Sequence, residues 1–304
     1  MSNRIIVGDC IESMNEMESG SVNCCVTSPP YYGLRDYGVD GQIGLEGTPD
    51  EYIAKMVDVF REVRRVLRDD GTLWLNLGDS YASSTKGTGG PTPKQKSNHG
   101  SFYDSRRFSH DVKNKDLLGI PWRVAFALRA DGWYLRQDII WRKPNPMPES
   151  VTDRCTKAHE YMFLLSKSAK YYFDHEAISE PAKTAGDIGG FTGYQSTAAN
   201  VKPSGNQIPE RGKSYVRPDT RNKRSVWTVT TKPYKGAHFA TFPPDLIEPC
   251  ILAGCPVGGV VLDPFGGSGT TGMVAWKHGR DYILIELNPK YAELAGDRVG
   301  LSGR

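Results

Sequence analysis

Residues 258–287, GGVVLDPFGGSGTTGMVAWKHGRDYILIEL, decide the fold of this chain. A β-branched run at 260–263 leads into a glycine loop, a helical stretch follows, and a second apolar run covers 282–287. A strand, a glycine loop, a helix and a second strand in this order are typical of a parallel βαβ unit. The stretch therefore predicts an α/β domain built around a parallel sheet.

The loop of this unit matches the pattern G-x-G-x-x-G through Gly267, Gly269 and Gly272. Glycines let the backbone turn tightly and approach a ligand, and the helix N-terminus favours an anionic group. Glu286 ends the second strand 17 residues after Gly269 and supplies an acceptor for ribose hydroxyls. The strand before the loop and the helix after it are the context that the motif needs, so it predicts a nucleotide-like cofactor.

Outside this unit, apolar runs alternate with helical patterns. Strands are predicted at 4–7, 22–27, 72–77, 135–141 and 160–166. Helices are predicted from Pro49 to about Arg68, from Pro121 to Asp131, over 245–254, and from Pro289 onward. Asp69, Asp70 and Gly71 are expected to end the first of these helices. Alternating strands and helices favour an α/β fold with a mostly parallel central sheet.

The glycine unit stands late in the sequence. The stretch after Glu286 has room for one helix, so the remaining strands are expected from residues 1–170. An enzyme that uses NAD normally begins with this unit and adds a second nucleotide half afterwards. The reversed order disfavours an NAD-dependent oxidoreductase, which stays the alternative from another enzyme class.

Composition excludes several classes of protein. The 304 residues are 38% hydrophobic and 24% charged with a net charge of +3, as in a globular protein of one large or two small domains. No stretch approaches the roughly 18 apolar residues that a membrane span needs. The N-terminal residues lack the apolar region of a secretory signal, so a cytoplasmic location is expected. Six cysteines and six histidines show no metal-ligand spacing, and no metal is predicted.

Positive charge is concentrated in two stretches that interrupt the alternation. Residues 84–116 hold seven Lys or Arg against three Asp, and residues 201–235 hold nine against two acids. Both are rich in Gly, Pro, Ser and Asn, so taken alone they are either solvated loops or a surface that binds a polyanion. We interpret them as insertions into a single catalytic domain, 1–304: a basic loop at 84–116 and a target-recognition region at 176–235.

A second motif follows the strand at 22–27. Ser28, Pro29, Pro30 and Tyr31 stand at its carboxyl end, where α/β proteins bind ligands. The two prolines fix the backbone and remove two N–H donors, which leaves a rigid edge of acceptors beside an aromatic ring. Such an edge suits a planar ligand that carries an NH2 group, because the amine donates while the ligand stacks on the ring.

Through these two motifs, the chain resembles the S-adenosylmethionine-dependent DNA amino-methyltransferases. Within that family it resembles the group whose SPPY-type motif precedes the F-x-G-x-G motif. Phe265, Gly267 and Gly269 carry the second motif. The resemblance continues through GDC (8–10), GTLWLNLGDSY (71–81), WRKPNPMPES (141–150), AHEYMFLLSKS (158–168) and HFATFP (238–243), and it covers the chain apart from the two basic stretches. It implies a Rossmann-like methyltransferase fold with permuted motif order and inserted recognition loops.

The resemblance also implies roles for individual residues. The S-adenosylmethionine site would comprise Asp9, Phe239, Ala240, Thr241, Asp263, Phe265, Gly267, Gly269, Thr270 and Glu286. Ser28 to Tyr31 would hold a base flipped out of duplex DNA, with Tyr31 stacked on it. Candidate DNA contacts in the basic stretches are Arg106, Arg107, Arg217, Arg221, Lys223 and Arg224. A homodimer, a cognate restriction endonuclease and association with the nucleoid are compatible with this family.

The expected chemistry is direct methyl transfer to an exocyclic amine, either N4 of cytosine or N6 of adenine. Ser in the first motif position is associated with cytosine in this family and Asp with adenine, so Ser28 slightly favours cytosine. Methylation at cytosine C5 would need a nucleophilic cysteine; Pro249-Cys250 is the candidate pair, but it lies in a predicted helix. The same amine chemistry on RNA stays open. The basic stretches disfavour a free small molecule as the substrate, and the two intact motifs disfavour DNA binding without catalysis.

Two further groups of residues are ambiguous. Trp141, Lys143 and Asn145 at the end of a predicted strand either border the flipped base or form a structural proline-rich turn. His159 and His175 are interpreted as structural, because amine methylation has no obligatory imidazole role.

Overall fold

The computed structural model describes residues 3–34, 36–82, 112–182, 188–190, 214–216, 219–231 and 242–301. In these ranges the helices are α1 (Cys10–Asn15), α2 (Pro49–Val66), α3 (Ile120–Ala130), α4 (Pro244–Gly254), α5 (Thr270–Lys277) and α6 (Pro289–Leu301). The strands are β1 (Arg4–Val7), β2 (Val22–Thr27), β3 (Leu67–Leu77), β4 (Tyr134–Arg142), β5 (His159–Ser166), β6 (Glu180–Pro181), β7 (Ile188–Gly190), β8 (Ser214–Val216), β9 (Thr220–Arg221), β10 (Val226–Thr228), β11 (Val260–Asp263) and β12 (Asp281–Glu286).

Eight of these strands form one sheet in the order β1-β12-β11-β2-β3-β5-β4-β10. Every neighbouring pair is parallel except the two pairs that β5 makes, with β3 and with β4. The predicted α/β fold with a mostly parallel central sheet is therefore confirmed. In this order β11, which leads into the glycine loop, lies directly beside β2, which leads into the SPPY segment.

Helices cover the sheet on both faces, and β3 shows how its side chains are divided. Leu73, Leu75 and Leu77 belong to a buried core that they share with residues of α1, α2 and α3. Thr72 and Trp74 point the other way and meet Gly254 at the end of α4. Helices α4, α5 and α6 pack against one another and against β1, β2, β11 and β12.

The beginning of β3 differs from the expectation. The sequence pattern places a helix end at residues 69–71, but α2 ends at Val66 and β3 already begins at Leu67. The pairing of β3 with β2 steps from Val22 opposite Leu67 to Cys24 opposite Thr72, so the strand bulges between these pairs. The exposed side chains of residues 68–70 lie in this bulge, which explains why their polar sequence resembles a turn.

The ends of the predicted 84–116 insertion lie against each other. Ala82 donates its backbone N–H to Asp116 O at 2.8 Å, and Lys115 donates to Ala82 O at 2.8 Å. Residues 83–111 lie outside the described part of the chain. A loop that leaves and returns at one point can be long without disturbing the sheet.

The chain divides into two compact units. Residues 175–223 form the smaller one, and the remainder forms the unit that contains the eight-stranded sheet. The described parts of the smaller unit contain two antiparallel pairs, β6 with β9 and β7 with β8. The predicted 176–235 insertion extends past this unit, because β10 belongs to the main sheet as the parallel neighbour of β4. None of the helices in the described ranges combines the length and apolar character required to cross a membrane.

Gly254 offers a test of how closely α4 packs on the sheet. A Cβ added there would lie 2.5 Å from Trp74 Nε1 and 2.7 Å from Thr72 Oγ1, in a place where both side chains are buried. We expect Gly254→Ala to lower the free energy of unfolding by about 1–3 kcal/mol, as overpacking a core does. Urea denaturation measures the change.

Gly300→Ala is the matched control, because Gly300 is exposed in α6 and an added Cβ there meets nothing within 4 Å. Alanine favours a helix over glycine by up to about 1 kcal/mol, so this variant should be no less stable than the wild type. Equal stability of the two variants would show that the contact between α4 and the sheet adapts to the extra methyl group.

Candidate active site

Both sequence motifs meet at the carboxyl edge of the sheet. β11 and β2 are neighbours, so the glycine loop after Asp263 and the SPPY segment after Thr27 begin side by side. Beyond β11 this edge continues to Glu286 at the end of β12, and Asp9 follows β1. On the other side it continues past β2 to Gly78 at the end of β3. Neighbouring strands whose connections run in opposite directions open a crevice at this edge, where α/β proteins bind ligands.

The carboxylate of Asp263 joins the two motif strands. Its Oδ1 accepts a hydrogen bond from Thr27 Oγ1 at 2.6 Å and one from the Phe265 backbone N–H at 3.1 Å. Its Oδ2 accepts from Thr271 Oγ1 in α5 at 2.6 Å. Asp263 is 2% exposed, and its burial raises the pKa of the carboxyl to about 6. These contacts give Asp263 a positioning role between β2, β11 and α5.

The three glycines of the loop meet different surroundings. Gly267 has a positive φ of 49°, and an added Cβ would have only the Phe265 carbonyl within 4 Å, at 3.8 Å. At Gly269, φ is 78° and an added Cβ would lie 2.9 Å from Cα of Ala295 in α6. At Gly272 it would lie 2.9 Å from Leu284. The last two glycines therefore permit close packing, whereas Gly267 leaves open space above the loop.

Arg298 of α6 braces this loop, a contact that no local sequence pattern predicts. Its Nη1 donates to Ser268 Oγ at 2.9 Å and to Thr270 Oγ1 at 2.8 Å. Thr270, a predicted cofactor contact, is buried, and its hydroxyl accepts this bond at the start of α5. Phe265, another predicted contact, is partly buried against the core.

Two acidic residues, Glu286 and Asp9, lie at this edge, and Glu286 contacts the glycine loop. Glu286 accepts the Gly267 backbone N–H on Oε2 and the Asn288 N–H on Oε1, both at 2.8 Å. Burial raises the pKa of this carboxyl, although the two N–H donors act in the opposite direction. Asp9 is the N-cap of α1, and its Oδ1 accepts from Ile11 N at 2.8 Å and from Glu12 N at 3.1 Å. Carboxylate acceptors beside an open glycine loop suit the hydroxyls of a nucleoside.

The SPPY segment is held rigidly by its neighbours. Tyr52 of α2 donates its hydroxyl to the Pro30 carbonyl at 2.9 Å. Gly33 donates its N–H to Gly44 O at 2.8 Å, and Gly44, with φ of 101°, approaches so closely that an added Cβ would lie 3.1 Å from the carbonyl oxygen of Tyr31. Pro29 is buried, while Ser28 and Pro30 are half-buried at the edge. The Pro30 carbonyl is thus occupied, and Ser28 is a side-chain acceptor that the segment offers to a ligand.

Tyr31 lies within a polar network beneath this segment. Its hydroxyl donates to Glu160 Oε2 at 2.8 Å and contacts Asn76 Oδ1 at 3.3 Å, and the Ser28 hydroxyl is near enough to interact with it. Burial, and after it the Glu160 carboxylate, raises the pKa of Tyr31 well above its usual range. One side of the ring packs against Gly78, where an added Cβ would lie 2.6 Å from Tyr31 Cε2. Tyr31 is therefore held in place both by its hydroxyl and by its ring.

Of the three ambiguous residues at the end of β4, Lys143 reaches this network. Its ammonium group pairs with Glu160 Oε1 and lies 4.2 Å from the centroid of the Trp141 ring. Trp141 is buried and donates Nε1–H to Val229 O at 2.9 Å, and Asn145 accepts the Thr231 N–H at 3.1 Å. Trp141 and Asn145 thus have structural contacts that tie β4 to the segment after β10.

The remaining candidates lie elsewhere or outside the described residues. Arg221 pairs with Glu180 at 3.0 Å across the β6–β9 pair, while Lys223 is half-buried and Arg224 is exposed. Cys250 is buried in α4, where its thiol contacts Leu246 O, away from the strand ends that would make it a nucleophile for C5 chemistry. The candidates that fall outside the described residues are Phe239, Ala240, Thr241, Arg106, Arg107 and Arg217.

Sequence reasoning missed Asn76, Gly78 and Glu160 as well as Arg298. A signal existed for Asn76, because a polar residue inside the apolar run TLWLNL is unusual, and this side chain is 1% exposed. Glu160 and Gly78 stand inside stretches that carry the family resemblance, but nothing in their local sequence assigns them a role. Arg298 lies within an ordinary amphipathic helix.

The raised pKa of Asp263 predicts a specific pH dependence of stability. Below about pH 4 an ordinary Asp is protonated, and between there and about pH 6 the unfolded chain ionises while the folded chain keeps the proton. The stabilising contribution of Asp263 is therefore full below about pH 4 and is lost as the pH rises to about 6, by on the order of 3 kcal/mol. Asp263→Asn should abolish this part of the pH dependence in urea denaturation series.

The same exchange at Asp297, which is exposed on α6, is the matched control and should keep the wild-type profile. If the wild type and Asp263→Asn differ in stability by a constant amount from pH 4 to pH 7, the carboxyl is ionised throughout and the expectation is wrong.

Comparison with known proteins places these motifs in a family. A family model described as DNA methylase matches residues 22–297. The chain is 48% identical to Type II methyltransferase M.Cfr9I of Citrobacter freundii over 96% of this chain and 86% of that protein. It is 49% identical to Type II methyltransferase M.SmaI of Serratia marcescens over 97% of this chain and 90% of that protein.

Solved structures share the fold. The PvuII DNA methyltransferase, titled cytosine-N4-specific, aligns with a TM-score of 0.64 at 19% identity, covering 98% of this chain and 86% of that one. TTHA0409 of Thermus thermophilus, solved with S-adenosyl-L-methionine, aligns with a TM-score of 0.60 at 23% identity, covering 99% and 94%. With the family model and the relatives near 50% identity, the resemblance carried by the two motifs is confirmed, and the chain belongs to the DNA methylase family.

Proposed function

We propose that this protein transfers a methyl group from S-adenosylmethionine to the exocyclic amine of a base flipped out of duplex DNA. N4 of cytosine is slightly favoured over N6 of adenine. The observation that carries the proposal is the Asp263 bridge, because it sets the acceptor edge of Ser28 beside the glycine loop of Gly267. A base and a cofactor bound at these two places would meet at one sheet edge.

The residues at the cofactor side fit S-adenosylmethionine. Gly267 leaves room above the loop, and Glu286 and Asp9 provide carboxylate acceptors for ribose hydroxyls and for the adenine amine. Phe265, Gly269 and Thr270 shape the loop, and Asp263 positions it. When bound, S-adenosylmethionine supplies an electrophilic methyl group on a sulfonium sulfur.

On the base side, Ser28 and the Pro29 carbonyl act on the amine of the target base. Its lone pair is delocalised into the ring, which makes it a poor nucleophile. Hydrogen bonds from the NH2 group to these two acceptors favour a pyramidal nitrogen whose lone pair points away from the ring. Holding the two reactants in attack geometry is worth at most about 7–11 kcal/mol of the barrier. The base has to leave the duplex to reach this edge, and Tyr31 borders it there.

Cytosine is favoured because of Ser28. Two competing chemistries, hydride transfer with NAD and methylation at cytosine C5, are disfavoured for different reasons. Membership in the DNA methylase family removes the NAD-dependent oxidoreductase, and Cys250 lies where C5 chemistry cannot use it. Whether the substrate is RNA or DNA is decided by the mass spectrometry experiment described next.

Mass spectrometry of nucleosides tests the function. The protein and S-adenosylmethionine are incubated with unmethylated duplex DNA of high sequence diversity or with RNA, and each product is digested. We expect N4-methylcytosine in the DNA and none in the RNA. Ser28→Ala should reduce the yield, because it removes an acceptor for the amine. N6-methyladenine would reverse the assignment of the base, C5-methylcytosine would contradict the role of Ser28, and methylation of RNA alone would contradict DNA as the substrate.

The basic residues Arg106, Arg107, Arg217, Arg221, Lys223 and Arg224 are proposed to contact DNA phosphates. Lys223 and Arg224 are adjacent in the described part of the chain, so one double variant tests both. We expect Lys223→Ala/Arg224→Ala to weaken DNA binding and to reduce the slope of log K against log salt by about 0.9 for each lost contact. Fluorescence anisotropy at several salt concentrations measures the slope.

Lys277→Ala is the control for loss of exposed positive charge, since Lys277 is exposed in α5 and pairs with Glu248. It should leave the slope unchanged. An unchanged slope in the Lys223/Arg224 variant as well would place the DNA contacts elsewhere.

The arrangement of domains and partners completes the proposal. Residues 1–304 form one catalytic domain with two insertions for target recognition, 84–116 and the part of 176–235 that precedes β10. The curated relatives are named Type II methyltransferases, which supports a cognate restriction endonuclease as the partner in a restriction–modification system. Formation of a homodimer and association with the nucleoid in the cytoplasm stay predictions.

A further inference from the structure

We propose that Glu160 is the terminal acceptor of a proton path that begins at the Ser28 hydroxyl and passes through the hydroxyl of Tyr31. The inference deepens the proposed methyl transfer to an amine and rests on it. Tyr31 would then transfer a proton in addition to stacking on the base. The ion pair between Lys143 and Glu160 would serve to take up that proton.

The hydrogen bonds of the network run in one direction. The Tyr31 hydroxyl donates to Glu160 Oε2 at 2.8 Å. The Ser28 hydroxyl is near enough to interact with the Tyr31 hydroxyl, and since the Tyr31 proton points to Glu160, Ser28 would be the donor between these two groups. The lone pairs of Ser28 are then left to accept an N–H of the target amine. Two hydroxyl groups, those of Ser28 and Tyr31, thus lie between the amine position and the Glu160 carboxylate.

The reaction requires an acceptor for one proton. The amine nitrogen forms its new bond to the methyl carbon with its lone pair, the carbon–sulfur bond breaks, and that electron pair stays on sulfur. The nitrogen now carries a positive charge and must lose one proton. It passes a proton to Ser28, Ser28 passes its own to Tyr31, and Tyr31 passes its own to the Glu160 carboxylate. Glu160 becomes a neutral acid and returns the proton to water after the product leaves.

The surroundings hold Glu160 for this task. Lys143 contacts Oε1, so the pair leaves Oε2 directed at Tyr31. Asn76 donates Nδ2–H to Tyr161 O at 3.0 Å and to Glu160 Oε2 at 3.4 Å, which fixes the carboxylate from β3. The side chains of Glu160 and Lys143 are each 17% exposed, so the pair is largely shielded from bulk water. Among the described residues, Lys157 and His159 also interact electrostatically with Glu160.

A structural role for Glu160 makes a different prediction from a proton-accepting one. If Glu160 merely positions Tyr31, glutamine, which has the same length and keeps an oxygen acceptor, should serve better than the shorter aspartate. If Glu160 takes up a proton, aspartate keeps the carboxylate and should serve better than glutamine. The order of the two variants therefore separates the roles.

The test compares Glu160→Gln, Glu160→Asp and Tyr31→Phe with the wild type in single-turnover methylation of duplex DNA. We expect glutamine to slow transfer by about 10²-fold, as loss of a general base does, and aspartate to slow it by less than about tenfold. Tyr31→Phe should match glutamine, and the double variant Tyr31→Phe/Glu160→Gln should be no slower than either single one, since both break the same path. The affinity for S-adenosylmethionine by calorimetry and the melting temperature should stay at wild-type values in the Glu160 variants.

Glu248→Gln is the matched control, because Glu248 is a carboxylate that pairs with Lys277 on α5 away from the site; its rate should be that of the wild type. A wild-type rate for Glu160→Gln, or a glutamine variant faster than the aspartate variant, would overturn the proposal. If Tyr31→Phe lowers the stability of the protein, the comparison of Glu160→Gln with Glu160→Asp is sufficient to test the proposal. Failure of the proposed function is a separate result, because then the wild type itself would leave no methylated amine in the DNA.

Discussion

The Asp263 carboxylate accepts hydrogen bonds from Thr27, which ends one motif strand, and from Thr271, which belongs to the helix after the glycine loop. A buried carboxylate is expensive to desolvate, and three donors offset that cost here. Because the bonds leave little freedom between β2 and β11, the distance between the acceptor edge at Ser28 and the open loop at Gly267 is set by the core of the sheet. The positions of the SPPY segment, of Arg298 against the loop and of Glu286 beside it all follow from this junction.

Local sequence predicts the parts of the fold whose cause is local. The strands predicted at 4–7, 22–27 and 260–263 have the same bounds in the structure, because they are short apolar runs with glycines or polar residues at their ends. The helix predicted from Pro49 begins there in the structure, where Thr48 and Glu51 form a capping box. The glycine loop is predictable because its residues, its strand and its helix are contiguous in the chain.

The remaining features depend on partners far away in the sequence. The sequence between β4 and β5 has no helical pattern, and a parallel pair usually needs a helix as its crossover connection. The two strands are therefore antiparallel, and the missing helical pattern could have predicted this direction. The strand β10 is three residues long and gains its place only by pairing with β4. Glu160 lies 129 positions from Tyr31, and Arg298 lies 28 positions from Thr270. Their roles come from the tertiary fold, which no local pattern records.

The neighbouring strands β2 and β11 stand at nearly opposite ends of the sequence, and the bond between Thr27 and Asp263 spans 236 positions. Strand pairs with such separations raise the contact order, and proteins dominated by them fold slowly because the chain must close a long loop before the contact stabilises it. During synthesis the residues of β2 are made long before those of β11. The acceptor edge therefore has no cofactor loop beside it until synthesis has passed residue 272, and a chain that stops before this point cannot methylate.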